Sequence, residues 1–452
     1  MRWPRLSLTL LLLATAACNG SAQSQPGPPP NVLLLVVDCL RADRLSAHGY
    51  FRPTTHNLDT LVDGGVSFTR AFAAASWTRP SLPTLLTGVY PAEHALQEFY
   101  AGDEGAVMSP RLADSFLTLA EALKARGYRT GLFGEQAQLS RRFGLDQGFD
   151  AYQSHAGSAA SIHQLFQRWV GGGDDPFFAY FHYLELHWPY CPPAAVRGVF
   201  DRGKSKLRPC HAWRELRRKL ESGEIVPTED DVEAMSARYD EELLALDADM
   251  GRLFADLKAR GLWDDTLIVL TADHGEQFWE HGAGGHGFSL WDELLEVPLV
   301  FKPPAAWRAP TPRKVELLVE NRAVFPTLLA VAGAPPVPAV SAPSLEPWIL
   351  GEAPAQPPYR YVVAESQSQV AVRTPELKLI ADHDGGGVQL YDVVRDPGEH
   401  HNVAAERRGD LAAMRQLLAT WRAGLAPPPT STPEALDAKT TEELKALGYL
   451  GD

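Results

Sequence analysis

The segment NVLLLVVD, Asn31 to Asp38, is a short, continuously apolar run that ends in a carboxylate. A run without alternation of apolar and polar residues is typical of a strand buried on both faces of a parallel sheet. Similar runs recur in PFFAYFHY and TLIVLT, and helical patterns accompany them in Leu117 to Gly134 and Ala237 to Glu276. The sequence therefore predicts an α/β fold with a doubly wound, mixed or mostly parallel sheet flanked by helices.

Three of these runs lead to polar residues at or just beyond their carboxyl ends. Asp38 closes the first run, His187 follows the second, and Asp273 and His274 follow the third. Open α/β sheets bind ligands outside the carboxyl ends of their strands. The pattern therefore predicts an active site at that edge, whereas the plainer interpretation makes each strand-end aspartate a solvated turn residue.

Size and charge limit the function classes. The 452 residues, of which 45% are hydrophobic and 22% charged, suffice for one large domain and a smaller one. Proline-rich segments from about Pro303 to Pro347 precede the short strand patterns RYVVAES, SQVAVRT, LKLIAD and VQLYDVV and a final helix. The formal net charge of −14 argues against a nucleic-acid partner, because phosphate binding needs clustered Lys and Arg.

The N-terminus carries an export pattern. A basic segment, Met1 to Arg5, precedes an apolar run from Leu6 to Ala14 that is too short to span a bilayer. The following TAAC resembles a bacterial lipobox, with Thr15 where Leu is usual. We expect a signal peptide over 1–17, lipidation of Cys18, a flexible tether over 19–30, and an exported lipoprotein anchored to a membrane, periplasmic or at the cell surface. An ordinary cleaved signal is the alternative.

Three cysteines remain beyond Cys18. Cys191 and Cys210 bracket a charged loop containing Pro and Gly, so we expect a disulfide there, which stabilises by about 3 kcal/mol on the chain-entropy model. Cys39 has no evident partner. The chain shows no Cys/His spacing of the zinc-finger type.

The mature chain resembles the sulfatase family of the alkaline-phosphatase-like superfamily in six segments that occur in order. They are NVLLLVVDCLRADRLSAHGY, TLLTGVYP, FHYLELHWPY, TLIVLTADHGEQFWEHG, GHGFSLWDELLEVPLVF, and LKLI followed by LYDVVRDPGEHHNV. The resemblance implies a doubly wound catalytic domain, which we place at 31–335, and a smaller C-terminal antiparallel-sheet α+β subdomain at 336–435. A tail would follow at 436–452. It also implies one divalent cation and an anionic ester substrate, such as a glycan or a lipid head group.

The stretch ASWTRPSLPTLLTG, 75–88, departs from the family motif C/S-x-P-S-R-x-x-L-L-T-G. Alignment on the common LLTG ending puts Thr78 where sulfatases carry the residue that is oxidised to formylglycine. Pro80 and Ser81 match, whereas Leu82 replaces the motif Arg. A Thr here resembles the nucleophile of the superfamily's phosphodiesterases and lipoteichoic-acid synthases, activated by a metal at a helix start. Arg79 is a candidate substrate contact. The alternative role for Thr78 is a helix N-cap.

The same resemblance assigns metal ligands. Asp38, Asp273 and His274 match family ligands, the Thr78 oxygen would complete the set, and Cys39 stands where the family has a second aspartate. Carboxylates favour calcium or magnesium, and one imidazole also admits manganese or zinc. A two-zinc site is disfavoured, since the Asp-x-x-x-His pair of the zinc phosphodiesterases is not found.

Several histidines are candidates for proton transfer or substrate binding. His187 matches the family histidine that faces the leaving-group oxygen, and His286 lies near a substrate-binding Lys of many sulfatases, from where it could donate to an oxyanion. Solvated loop positions explain His281 and His94 equally well, and His182 is expected to pack within its strand.

Two departures bear on the reaction. Glu135 to Gln138 stand where many sulfatases carry a sulfate-holding Lys-x-His pair. Threonine also lacks the second hydroxyl through which formylglycine hydrate expels sulfate. We therefore expect metal-dependent hydrolysis, or transfer, of phosphate or phosphonate esters through Thr78. The alternatives are a sulfatase without formylglycine and a non-catalytic metal-binding relative that recognises a glycan.

Overall fold

The computed structural model describes residues 29–102, 106–173, 175–207, 210–307, 313–352, 354–430 and 432–450. The expected signal peptide, Cys18 and most of the expected tether lie outside these ranges. No helix in the described ranges is both long and apolar enough to cross a membrane.

Strands alternate with helices along most of the chain. In chain order the strands are Asn31–Val37 (β1), Val66–Phe72 (β2), Tyr100–Ala101 (β3), Val107–Ser109 (β4), Arg129–Gly134 (β5), Ala151–Gln153 (β6), Phe177–Tyr183 (β7), Thr266–Thr271 (β8), Gln277–Phe278 (β9), Gly284–Gly285 (β10), Glu296–Lys302 (β11), Arg313–Glu320 (β12), Val362–Glu365 (β13), Gln369–Arg373 (β14), Leu377–Asp382 (β15), Gln389–Asp392 (β16) and Glu434–Ala435 (β17).

The helices surround these strands. They are Asp59–Asp63 (α1), Thr78–Thr87 (α2), Pro91–His94 (α3), Leu119–Lys124 (α4), Ala159–Val170 (α5), Trp213–Glu221 (α6), Glu229–Ala259 (α7), Asp292–Leu295 (α8), Val324–Val331 (α9), Glu346–Ile349 (α10), Arg408–Gly424 (α11) and Ala438–Ala446 (α12). The long helix α7 starts at a capping box formed by Thr228 and Asp231, which satisfies backbone donors at its first turn.

The main sheet has eight strands in the order β12-β2-β11-β8-β1-β7-β5-β6. Strand β1 pairs in parallel with both β7 and β8, and β7 pairs in parallel with β5. Strand β11 runs antiparallel to both of its neighbours. The predicted mixed, mostly parallel sheet is confirmed, and its four central strands direct their carboxyl ends to one edge.

Strand β1 is buried on both faces. Val32, Leu34 and Val36 belong to the apolar cluster on one face, whereas Leu33 and Leu35 belong to the cluster on the other. Alternate side chains of a strand point to opposite faces, so a strand covered by helices on both sides must be apolar throughout. This explains the continuous apolar run at Asn31–Asp38.

The C-terminal part forms a second, antiparallel sheet in the order β13-β14-β15-β16. Helix α11 covers it, and its Leu418 and Trp421 share an apolar cluster with Val370 and Leu379 of the sheet. The expected smaller antiparallel sheet is therefore confirmed. The domain boundaries at 335 and 435 stay sequence predictions.

Cys191 and Cys210 form a disulfide, with Cα atoms 5.4 Å apart. The bond lies in the loop that leads into α6. Residues beyond 435 pack onto the main core: Leu444 of α12 is fully buried there, and Leu447 and Leu450 lie against the same cluster.

Candidate active site

Buried polar side chains meet at the carboxyl edge of the four central strands. Asp38 follows β1, Asp273 and His274 follow β8, His182 lies in β7, and Gln136 comes two residues after β5. The side chains are entirely or almost entirely buried. Parallel neighbours end at the same edge, so the strand order brings these residues together.

Asp38 is the most heavily hydrogen-bonded of the carboxylates. Its Oδ2 accepts from Gln136 Nε2 at 2.6 Å and lies 3.2 Å from His182 Nε2, and its Oδ1 accepts from the Cys39 thiol at 3.1 Å. Burial alone would raise the pKa of Asp38. The hydrogen bond with His182 and the nearby imidazoles outweigh burial and lower that pKa below its usual range. Asp38 is therefore a carboxylate ready to bind a cation.

The Asp273 carboxylate has fewer hydrogen-bond partners than that of Asp38. Its Oδ1 accepts from the backbone N–H of His274 at 3.0 Å, whereas its buried Oδ2 has no hydrogen-bond partner among the described residues. Burial, together with the nearby charge of Asp38, raises the pKa of Asp273 well above its usual range. An orphaned carboxylate oxygen beside a second carboxylate is the arrangement that a divalent cation stabilises.

The donor atoms are spaced as a cation requires. His274 Nε2 lies 3.5 Å from Asp38 Oδ1, 3.4 Å from Asp273 Oδ2 and 3.1 Å from Thr78 Oγ1. Adjacent ligands of a six-coordinate cation bonded at about 2.1–2.4 Å are about 3.0–3.4 Å apart. His274 Nδ1 lies 2.8 Å from the Gly275 carbonyl, which can only accept, so Nδ1 donates there and Nε2 faces the cluster as a metal ligand would. The expected ligand set fits a divalent cation.

His182 extends this set. Its Nε2 contacts Asp38, and Asp38, His182 and Asp273 offer ligand atoms that all lie within 4.8 Å of one another. The expectation that His182 merely packs in its strand is thereby corrected. In the parallel register His182 pairs with Val36, two residues before Asp38, and this neighbourhood follows from strand pairing rather than from the local sequence.

Thr78 is the first residue of α2, and Trp77 holds the N-cap position without a side-chain cap. The Thr78 hydroxyl therefore does not cap the helix, and the N-cap alternative is corrected. Its Oγ1 lies 3.1 Å from His274 Nε2, 3.5 Å from Asp38 Oδ2 and 2.8 Å from the hydroxyl of Tyr449. The side chain is fully buried, with the hydroxyl in the middle of the cluster.

Cys39 supports Asp38 rather than replacing a ligand. It has a positive φ of 62°, an uncommon conformation for a residue other than glycine that often marks functional sites. Burial, with the nearby carboxylates, raises the pKa of the Cys39 thiol, which keeps its proton and donates it to Asp38. Cys39 also forms a compact group with His274 and His286. Because the thiol stays protonated, the carboxylate group is the better cation site.

Two further histidines border the cluster. His286 Nδ1 lies 3.1 Å from Glu276 Oε1, so this imidazole is oriented by a buried carboxylate. His187 Nδ1 donates to the Trp188 carbonyl at 2.8 Å, and its buried Nε2 has no partner in the described structure. Burial lowers the pKa of His187 to about 4. The two rings are neighbours, with centroids 5.0 Å apart.

A cavity of about 330 Å³ opens beside His286 and Glu276. Its walls are mainly aromatic and apolar, formed by Trp188, Tyr190, Leu220, Trp279 and Phe288, and Arg217 of α6 also lines it. The cavity suits the uncharged part of a substrate whose reactive group reaches the buried cluster.

Comparison with known proteins agrees with this geometry. The sulfatase family profile matches residues 30–334. The chain belongs to the sulfatase family. Human arylsulfatase A is 28% identical over 470 residues, covering 90% of this chain and 89% of the human protein. The Delta 4,5-hexuronate-2-O-sulfatase of Bacteroides thetaiotaomicron is 23% identical, covering 90% of this chain and 91% of that protein. The solved phosphonate monoester hydrolase of Agrobacterium radiobacter has a TM-score of 0.71 at 23% identity, covering 90% of this chain and 100% of its own.

This sulfatase-family chain is therefore a hydrolase of ester bonds, and its acidic cluster agrees with the metal dependence of the family. The likeness to the phosphonate monoester hydrolase concerns the fold, namely the mixed eight-stranded sheet and its C-terminal antiparallel partner.

Other residues singled out in the sequence lie away from this sulfatase-family site. Arg79 points into the protein, where its guanidinium donates to Ser109 and Pro110 and lies over the Phe99 ring. The structure thus does not bring Arg79 to the cluster. His94 is buried against Thr84 and Pro80, and His281 stacks on Trp291 near Glu293.

The sequence analysis did not predict three residues of the cluster, although the sequence around two of them contained a feature that could have identified them. Glu276 stands three residues after Asp273, and Gln136 closely follows a predicted strand. Tyr449 carried no signal, because it lies 371 residues from Thr78 in the chain.

Proposed function

We propose that this chain hydrolyses singly charged esters with Thr78 Oγ1 as the nucleophile, and that phosphodiesters and phosphonate monoesters are better substrates than sulfate esters. The observation that carries the proposal is the position of the Thr78 hydroxyl, buried at the first residue of α2 and in contact with the Asp38 and His274 side chains. A helix start also favours an anion at this place.

Asp38, Asp273 and His274 would hold the divalent cation, with His182 as a further ligand or as a hydrogen-bond partner of Asp38. When bound, the cation supplies positive charge that stabilises an anionic nucleophile and the transferred group. Gln136 and Cys39 donate to Asp38 and orient its two oxygens.

His286 and His187 divide the proton transfers. His286 lines the cavity and is oriented by the Glu276 carboxylate, so we assign to His286, rather than to His187, the protonation of the departing alcohol. Glu276 itself stays charged, because pairing with His286 outweighs burial and lowers the pKa of Glu276. His187, whose Nδ1 proton is engaged by Trp188, presents an unprotonated Nε2 that can accept a proton from the attacking water in the second step.

The charge balance favours substrates with one negative charge. Among the described residues, Asp38, Asp273 and Glu276 pair only with imidazoles and not with a lysine or arginine. With two carboxylates at the cation site and a third beside it at Glu276, the cluster has no excess positive charge for a dianion. Phosphodiesters, phosphonate monoesters and sulfate esters carry one charge, whereas a phosphate monoester carries nearly two at neutral pH.

Phosphorus is favoured over sulfur because of the nucleophile. A phosphothreonine intermediate is open to in-line hydrolysis, whereas a threonine sulfate lacks the exit that formylglycine hydrate provides. Sulfate ester hydrolysis is the second candidate, supported by the family match and by the relatives named as sulfatases.

The test compares p-nitrophenyl sulfate, p-nitrophenyl phosphate, a p-nitrophenyl phosphodiester and a p-nitrophenyl phenylphosphonate with purified protein and Mg²⁺, Ca²⁺, Mn²⁺ or Zn²⁺. We expect the last two esters to give the highest kcat/KM. Thr78→Ala should lower kcat by at least about a thousandfold, because the covalent route is lost, and Thr78→Ser should retain part of the activity.

Thr87→Ala is the matched control, since the Thr87 hydroxyl donates to the Pro83 carbonyl of the same helix and has no other partner among the described residues. Full turnover in Thr78→Ala would exclude this nucleophile. A preference for the sulfate ester would be compatible with Thr78 as the nucleophile but would contradict the proposed preference for phosphorus esters. Binding of a sulfated glycan without turnover of any ester would favour the non-catalytic alternative.

We further propose that the protein is exported and held to a membrane by lipidated Cys18. The support is the basic segment, the short apolar run and the Ala-Ala-Cys sequence at the N-terminus.

A further inference from the structure

The last described residues of the chain enter the candidate active site. Helix α12 is capped by Asp437, whose side chain accepts from the Thr440 backbone N–H. The buried Leu444 fixes the helix to the main core. The segment from Asp437 to Leu450 is thus part of the folded body rather than a loose extension.

The turn after α12 is held in one conformation. Gly448 has a positive φ of 78°, and a Cβ added there would collide with Arg217 Nη1. The same Nη1 donates to the Leu447 carbonyl at 3.2 Å. The left-handed conformation favours glycine at this position, and the turn brings the Tyr449 hydroxyl to Thr78 of α2.

Tyr449 reaches the proposed nucleophile. Its hydroxyl lies 2.8 Å from Thr78 Oγ1, and Gln136 Nε2 donates to it at 3.2 Å. Its ring lies beside those of Trp77 and His187, with centroid distances of 6.2 and 5.7 Å.

The direction of these hydrogen bonds follows from Gln136. Its amide Nε2 can only donate, so the Tyr449 oxygen accepts from it. The Tyr449 proton is then free for Thr78 Oγ1, 2.8 Å away. The Tyr449 proton points at the oxygen that would attack the ester.

We propose that Tyr449 is a catalytic residue whose hydroxyl donates a hydrogen bond to Thr78 Oγ1 before attack and to a nonbridging oxygen of the transferred group as the new bond forms. The inference rests on the proposed function in taking Thr78 as the nucleophile. A donor that touches the attacking oxygen is within reach of the oxygens of the group being attacked, where hydrogen bonds stabilise developing charge. Tyr449 thereby supplies a neutral donor in a cluster whose carboxylates pair with no lysine or arginine among the described residues.

The structure favours this role over that of a plug, meaning a C-terminal segment that blocks the site and leaves when substrate binds. Burial of Leu444 and the Arg217 contact would both have to be given up if the segment left.

The test uses the full-length protein with its divalent metal and the best p-nitrophenyl ester. Tyr449→Phe removes only the hydroxyl, and we expect kcat to fall roughly tenfold to a hundredfold with KM changed less than about threefold. The matched control is Tyr128→Phe, since the buried Tyr128 hydroxyl has no partner among the described residues. This control should leave both kcat and the Tm unchanged.

A second measurement does not need turnover. Binding of inorganic phosphate, followed by calorimetry, should be weakened at least about threefold in Tyr449→Phe relative to the native protein and to Tyr128→Phe. Unchanged kcat and unchanged phosphate affinity in Tyr449→Phe would overturn the proposal. Faster turnover in Tyr449→Ala would also overturn it and indicate a plug. If Thr78→Ala kept full activity, the proposed nucleophile would fail, while the phosphate measurement would still decide whether Tyr449 contacts the anion.

Discussion

At the scale of single residues, the partners of each buried imidazole decide what it can do. His182, His274 and His286 lie against carboxylates, which orient their rings toward the cluster. His94 instead accepts a hydrogen bond from the Leu96 backbone N–H at 3.0 Å through Nδ1, and its Nε2 faces the Pro80 carbonyl at 3.2 Å. Because Nδ1 already accepts a hydrogen bond, a second proton on this ring would break that bond. His94 therefore has a structural rather than a catalytic role.

The burial of His94 predicts a loss of stability in acid. Burial lowers the pKa of His94 to about 3 in the folded state, against an ordinary value of 6.5. The resulting contribution to stability is complete above pH 6.5 and is lost as the pH falls toward 3, because only the unfolded chain takes up the proton. Between pH 7.5 and 5.0 we expect His94 alone to lower the free energy of unfolding by about 2 kcal/mol.

Urea unfolding at these two pH values measures the effect. Between pH 7.5 and 5.0, the free energy of unfolding should decrease less in His94→Gln than in the native protein. His401→Gln serves as the control, since the His401 side chain is 72% exposed. An equal decrease in the native protein and in His94→Gln would contradict the assignment.

At the scale of elements, helix ends and turns place the reactive groups. Helix α2 starts at Thr78, and the turn after α12 brings Tyr449 onto it. Both placements depend on the local backbone: Trp77 is extended at the N-cap position, and Gly448 is left-handed. The short connections after β1, β8 and β5 likewise put Asp38, Asp273 and Gln136 on one edge.

Gly448→Ala therefore should displace Tyr449. The added Cβ strains a left-handed position and pushes aside the end of the Arg217 side chain, which holds the Leu447 carbonyl, so we expect kcat to fall, but less than in Tyr449→Phe. Gly261→Ala is the matched control, because Gly261 has a similar φ of 72° with nothing within 4 Å of its added Cβ. That control should lose about 1 kcal/mol of stability and keep its kcat. Equal kcat in the two alanine variants would show that the position of Tyr449 does not matter for turnover.

At the scale of the whole molecule, the end of the chain that would lead to the proposed anchor and the site lie at opposite ends of β1. The expected tether joins the amino end of β1 at Asn31, whereas Asp38 follows its carboxyl end. Seven extended residues span about 23 Å. The proposed tether would thus join the folded protein at the edge of the sheet away from the cluster.

Cys18→Ser accordingly should move the protein from the membrane fraction to the soluble fraction without changing kcat/KM. Fractionation of expressing cells, followed by assay of both pools in detergent, measures the two effects separately. Membrane association that survives the substitution would exclude lipidation of Cys18 as the anchor.

The amino-acid sequence by itself determined the strands and the ends at which the reactive residues lie. A continuously apolar run such as Asn31–Val37 is stable only between two layers, and a carboxylate at its end has to leave the core at the sheet edge. The parallel sheet and the convergence of Asp38, Asp273 and His274 were therefore predictable from local patterns. Thr78 could be placed from the motif that surrounds it.

Only the tertiary structure decided which distant side chains meet these residues. Tyr449 and Thr78 are 371 residues apart, and His182 and Asp38 are 144 apart, so no local pattern relates either pair. Arg79 is adjacent to Thr78 yet points the other way, because successive positions on a helix face different directions. Local sequence determines strands and helix starts through backbone and burial preferences, whereas contacts across the chain depend on how the packed elements bring separate surfaces together.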